Sequence, residues 1–91
     1  MNISKTERRA LDMLSTGGKI VLERDSRNRP VAADFISREG WFLEGYGFPE
    51  FQSLRAKRLI VSRNGGDYAI SRDGALSLQK SRQAARKSGA G

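Results

Sequence analysis

The first regular pattern along the chain is helical. Ser4-Lys5-Thr6-Glu7 has the form of a capping box, in which Ser4 accepts from the third helical amide and Glu7 reaches back to the cap. Beyond it, Ala10, Leu11 and Leu14 share one arc of a wheel turning ~100° per residue, with Met13 at its edge. Lys5, Arg8, Arg9, Asp12 and Ser15 lie on the opposite arc, and Gly17-Gly18 ends the run. This predicts a helix over residues 5–16. The period then changes. Lys19–Arg24 is rich in branched apolar residues and too short for a helix, Asp25–Pro30 is turn-like, and Val31–Ile36 reads as a returning strand. Trp41–Leu43 reads as a short third strand and Gly45–Gly47 as a loop. Pro49 suits the first turn of a second helix running to Lys57. Leu59–Arg63 and Asp67–Ile70 form a second hairpin around Asn64-Gly65-Gly66, since Asn-Gly tolerates positive φ at both turn positions. Ser71 caps a last helix through Ala75, Leu76 and Leu78.

This order predicts an α+β fold, a winged-helix-like single domain over residues 1–78 with an extra N-terminal β-hairpin or meander. Phe51 and Leu54 turn inward, Leu59-Ile60 opens the wing, and Tyr68 and Ile70 return its apolar side to the core. Residues 79–91 carry too little apolar surface to pack and are expected to form a disordered basic tail.

Composition narrows the chemistry. A chain of 91 residues holds one core. It has no cysteine and no histidine, so a disulfide framework, a zinc finger, a thiol nucleophile and an imidazole base are all excluded. The remaining carboxylates, Asp34, Glu39 and Glu44 among them, show no spacing that marks a metal cage or an acid–base pair, and there is no phosphate-binding glycine loop. A binding protein without catalysis, cofactor or metal is expected. No run approaches the ~20 apolar residues that cross a bilayer, and the N-terminus lacks the apolar core of a signal peptide. A cytoplasmic location follows as the expectation.

The net charge is +7, and it is not evenly spread. Eight basic and eight acidic groups cancel within residues 1–50, so the excess lies wholly in residues 51–91. Lys80, Arg82, Arg86 and Lys87 supply four of those charges from the tail, which leaves residues 1–78 at +3. The localised remainder is Arg55, Lys57, Arg58 and Arg63 on the second helix and wing, candidates for nucleic-acid contact. The outward arc of helix 49–57, read as Glu50, Ser53, Ala56 and Lys57, has no Asn or Gln suited to adenine. Any DNA binding is therefore expected to be non-specific and strongly dependent on salt.

Six of the seven aromatic residues fall between Phe35 and Phe51, a concentration that suits a protein interface as well as a core. Arg38, Trp41, Tyr46 and Phe48 are the candidate interface residues.

The pattern Asn2-x-Ser4…Glu7-x-Arg9…Leu14…Gly17-Gly18-x-Ile20, Arg24-Asp25, Ser37-Arg38-Glu39-Gly40, Phe51-x-x-Leu54, Leu59-Ile60 and Asn64-Gly65-x-x-Tyr68-x-Ile70 resembles the YjhX-type toxins of bacterial toxin–antitoxin pairs. The resemblance covers residues 2–74. It implies a protein that binds and inhibits DNA topoisomerase I and is neutralised by an antitoxin; it assigns no inhibitory residues. The alternative from the residues alone is a winged-helix transcriptional regulator with weak sequence preference.

Overall fold

Helix α1 (Lys5–Ser15) starts from a complete capping box: the Glu7 amide donates to Ser4 Oγ at 3.0 Å and the Ser4 amide to Glu7 Oε1 at 2.8 Å. Two amides that helix geometry leaves unpartnered are thereby satisfied. The computed structural model describes residues 3–63 and 66–90, with side chains described as far as Gln83. Asn64 and Gly65, on which the expected wing turn rests, lie outside the described residues, as do the side chains of Arg86 and Lys87.

After α1 the chain turns through Gly17 and Gly18. Gly18 is buried so closely that a Cβ there would stand 2.8 Å from the Met13 carbonyl oxygen and 2.9 Å from that of Ile36. Strands β1 (Lys19–Arg24) and β2 (Pro30–Ile36) then pair antiparallel, with Ile20 opposite Phe35. Asp25 closes their loop by accepting the Arg27 and Arg29 amides on Oδ1, both at 2.9 Å, while its other oxygen lies 3.6 Å from Arg29 Nε. The Arg29 side chain, and that of Arg24 through the Asn28 carbonyl at 3.1 Å, are thus local partners of the loop.

The third strand expected at Trp41–Leu43 does not form. Only one bridge, Ile36 to Phe42, joins this segment to the sheet. The Ser37 amide donates to the Trp41 carbonyl at 2.8 Å and the Gly40 amide to the Ser37 carbonyl at 3.0 Å, so the backbone closes a tight turn instead of extending. Gly40, at φ +93°, makes that turn possible.

Helix α2 (Phe48–Ala56) follows, with Pro49 in its first turn and Glu50 Oε1 accepting the Gly47 amide at 2.7 Å. Strands β3 (Ile60–Ser62) and β4 (Tyr68–Ile70) pair antiparallel, and helix α3 runs from Arg72 to Ala90. The sheet order is β2-β1-β4-β3, closed at its centre by Ile20 opposite Tyr68. The architecture is α+β: three helices and a four-stranded antiparallel sheet in one domain.

Residues 79–90 differ from the expected disordered tail, because α3 continues through them. Gln79-Lys80-Ser81-Arg82-Gln83-Ala84-Ala85-Arg86-Lys87 contains neither glycine nor proline, and most of these residues are good helix formers. An ion pair between Arg82 and Asp12 also ties this extension to α1.

Each helix contributes to one core. Ala10, Leu11 and Leu14 of α1 meet Phe51 and Leu54 of α2, Leu78 of α3, and Ile20, Ala33, Phe35, Leu59 and Ile60 from the sheet and its approaches. Tyr68 packs edge-on to Phe51, ring centroids 4.9 Å apart. Among the described residues, no helix is long and apolar enough to cross a membrane.

Candidate interaction surfaces

The segment between β2 and α2 divides the expected aromatic interface in two. Trp41 is 74% exposed, and Phe42, one of the clustered aromatics but not among the four candidate interface residues, is 65% exposed. Both stand on the closed turn, whose geometry is further held by the Trp41 amide on Ser37 Oγ at 3.1 Å and the Leu43 amide on the Phe35 carbonyl at 2.8 Å. Arg38 is exposed beside them, with its stem lying over Gly17. Tyr46 and Phe48 are half-buried instead. The Tyr46 hydroxyl donates to the Thr6 carbonyl at 2.9 Å and its ring lies 5.4 Å from Phe35, while Phe48 stacks 5.6 Å from Phe51. Burial raises the Tyr46 pKa above its ordinary value, against the nearby positive charge of Arg9 and with the negative charge of Glu50. Their rings belong to the seam between loop and core.

The second surface is α2 and the hairpin after it. Here the structure moves one expected residue out of the basic group. Glu7, only 6% exposed, accepts from Lys57 Nζ at 2.7 Å and from Ser53 Oγ at 2.7 Å, besides the Ser4 amide. Burial by itself would raise the Glu7 pKa, but the bonds from Lys57, Ser4 and Ser53 and the Lys57 charge outweigh it and hold the carboxyl at about 2. Lys57 is therefore committed to α1.

This network also turns α2. Ser53, Lys57 and Glu50, expected to face outward, are half-buried, and the exposed positions are Pro49, Gln52, Arg55 and Ala56. A wheel centred opposite Phe51 and Leu54 already puts Gln52 beside Ala56, so that signal was present in the sequence. The inward pull of Glu7 on Ser53 and Lys57, from 46 and 50 residues away, was not.

Arg58 and Arg63 extend the exposed basic face. The Arg58 amide donates to the Arg55 carbonyl at 2.9 Å and the Leu59 amide to that of Leu54 at 3.0 Å, the bond pair of a Schellman helix end. Arg58 occupies its left-handed position at φ +58°, where glycine is the usual residue. Arg63 follows β3 at the far end of the hairpin. Arg55, Arg58 and Arg63 take part in none of the ion pairs among the described residues.

Between the first turns of α1 and α2 lies a cleft of about 140 Å³, with Thr6, Glu7, Tyr46, Glu50 and Ser53 in its walls. These groups already bind one another or neighbouring backbone, so the cleft is a structural seam. The described residues also hold no cluster of three or more acidic side chains placed to bind a metal.

A small α+β protein with an exposed aromatic turn and a separate basic helix face is what these features define. Residues 1–85 match the model of the YjhX toxin family, described as "Putative toxin of bacterial toxin-antitoxin pair". The chain belongs to this family. It is 48% identical over 79 residues to a UPF0386 protein of Caulobacter vibrioides, covering 87% of each chain. A UPF0386 protein of Rhodospirillum centenum is 47% identical over 79 residues, 87% of this chain and 92% of that one. A Cereibacter sphaeroides homologue of the same name is 47% identical over 79 residues, 87% and 91% of the two chains. No solved structure matches.

Proposed function

We propose that this protein acts in the cytoplasm as the toxin of a toxin–antitoxin pair, inhibiting DNA topoisomerase I by direct, non-catalytic contact. The observation that carries the reading is the exposed pair Trp41 and Phe42 on a turn locked by four hydrogen bonds. Each ring offers about 150–250 Å² of surface for burial, and large aromatics are typical anchors at interface centres. Because Ser37 and Gly40 hold the turn closed before binding, little ordering entropy opposes docking. Arg38 beside the pair adds a donor fork for a carboxylate on the partner. The family match supports a protein partner that neutralises the chain.

The winged-helix description of the fold rests on the hairpin β3–β4 following α2 directly and on β4 pairing with β1. The pair β1–β2 is the elaboration that departs from a minimal version.

Two measurements test the inhibitory reading. Binding of purified topoisomerase I is measured without DNA, and relaxation of supercoiled plasmid is followed at rising protein concentration. The wild type is expected to bind and inhibit, and Trp41→Ala/Phe42→Ala to weaken both about tenfold or more at unchanged thermal midpoint. Relaxation that continues unaffected at saturating protein would falsify the reading.

A further inference from the structure

We propose that Gln52, Arg55, Arg58 and Arg63 form a face that binds duplex DNA, with Gln52 and Arg55 directed to base edges in the major groove and Arg58 and Arg63 to flanking phosphates. The face adjoins the aromatic turn where Arg63 and Arg38 both lie by Gly17, but Gln52, Arg55 and Arg58 belong to α2 and its end, and the proposal does not depend on topoisomerase binding.

Charge is the first support. All four side chains are exposed, and the carboxylates near them in sequence are occupied. Glu50 caps α2, and Asp67 lies 3.6 Å from Lys19. Asp73, exposed at the start of α3, lines a cavity with Lys57 and Leu59 and stands as one carboxylate beside three arginines, so the face keeps a net positive potential.

The side chains exposed on α2 also have the right chemistry. Arginine bonds bidentately to guanine and glutamine to adenine, and the structure exposes one of each on neighbouring turns. An α-helix with side chains, about 10–12 Å across, fits a major groove about 12 Å wide. Since α2 leads into β3 through only Lys57, Arg58 and Leu59, the hairpin leaves from the helix end. At ~3.3 Å per strand residue Arg63 lies up to roughly 17 Å from Arg58, enough to reach backbone beside the groove.

Arg58 supplies the third observation. A left-handed arginine costs on the order of what a glycine would avoid, and the cation it places is unpaired among the described residues. The Schellman end of α2 accounts for the backbone, and the guanidinium it leaves exposed is a donor fork offered to an external phosphate.

The test uses the intact chain and fluorescently labelled random 20-base-pair DNA, with anisotropy read across salt concentrations, followed by selection of preferred duplexes from a random library. The wild type is expected to bind with steep salt dependence and to select a short preferred sequence. Arg58→Gly/Arg63→Ala is expected to bind about tenfold or more weakly at low salt, with the log–log salt slope reduced by about two. Its glycine relieves the left-handed position, so loss of folding does not imitate the effect. Gln52→Ala/Arg55→Ala is expected to lower the ratio of selected to random affinity about tenfold. The proposal fails if the Arg58/Arg63 variant binds as the wild type does, if deletion of residues 79–91 alone abolishes binding, or if selection returns no preferred sequence. It also fails if these variants lose topoisomerase I while keeping DNA affinity, because the face is then a protein interface. Trp41→Ala/Phe42→Ala separates the two readings: it should leave DNA affinity unchanged whether or not it affects the enzyme.

Discussion

Glu7 shows how much one side chain organises. Its carboxylate closes the α1 cap, takes Ser53 and Lys57 of the α2 segment, and so sets the rotation of the helix that carries the basic face. The cap was legible from Ser4-Lys5-Thr6-Glu7, because both partners lie within one turn. Its long-range half was not, because nothing local distinguishes Lys57 from a solvated lysine. The carboxyl is held at about 2 in the fold against an ordinary 4.5, so it contributes stability that is complete above pH 4.5 and is lost as pH falls toward about 2. That difference is worth about 3 kcal/mol at neutral pH as an upper figure. Glu7→Gln is expected to destabilise the fold by about 2 kcal/mol at pH 7, with the gap to wild type narrowing between pH 5 and pH 2. Urea unfolding across that range checks it, and parallel stability curves would count against the assignment. Arg58 provides a second residue-scale expectation. Since its φ is +58°, Arg58→Gly should leave stability unchanged or raise it by up to about 1 kcal/mol, although it removes a surface charge. A lowered thermal midpoint would show that Arg58 does packing work as well.

At the scale of elements, local pattern located the three helices and four main strands, and tertiary contacts decided their faces and ends. The Trp41–Leu43 stretch has strand-like composition, but Ser37 and Gly40 close a turn ahead of it and leave one bridge. Helix α2 has two packed sides, an apolar one through Phe51 and Leu54 and a polar one through Ser53 and Lys57, which a single apolar arc cannot reveal. Helix α3 approaches the sheet through Gly74, where a Cβ would collide with the Leu59 carbonyl oxygen and stand 3.0 Å from Ile70 Cγ1. Gly74→Ala is therefore expected to destabilise by about 1–3 kcal/mol, although alanine favours an isolated helix by about 1 kcal/mol. Chemical denaturation decides between these opposite signs: a more stable variant would mean that α3 moves away from β3 at little cost.

For the molecule as a whole, charge and packing separate. Among the described side chains Leu78 is the last in the buried core, and beyond it the Arg82–Asp12 pair is about half exposed, a class of interaction worth about 1 kcal/mol or less. Deleting residues 79–91 removes four basic groups and takes the net charge from +7 to +3. The fold should survive, with a thermal midpoint lowered by no more than about 4–8 °C. Circular dichroism melting tests this, and loss of cooperative unfolding would show that the α3 extension is part of the folding unit. Legible in the residues alone were the α+β order of elements, the absence of thiol and imidazole chemistry, the placement of excess charge in the second half, and the family features from Ser4 to Ile70. Those properties depend on residue type and on spacings of a few residues. It took the packed fold to show that Tyr46 and Phe48 pack against the core while Trp41 and Phe42 face outward, and that Ser53 and Lys57 are tied to Glu7. Each of these depends on contacts between segments distant in the chain, where burial and charge pairing outweigh local preference.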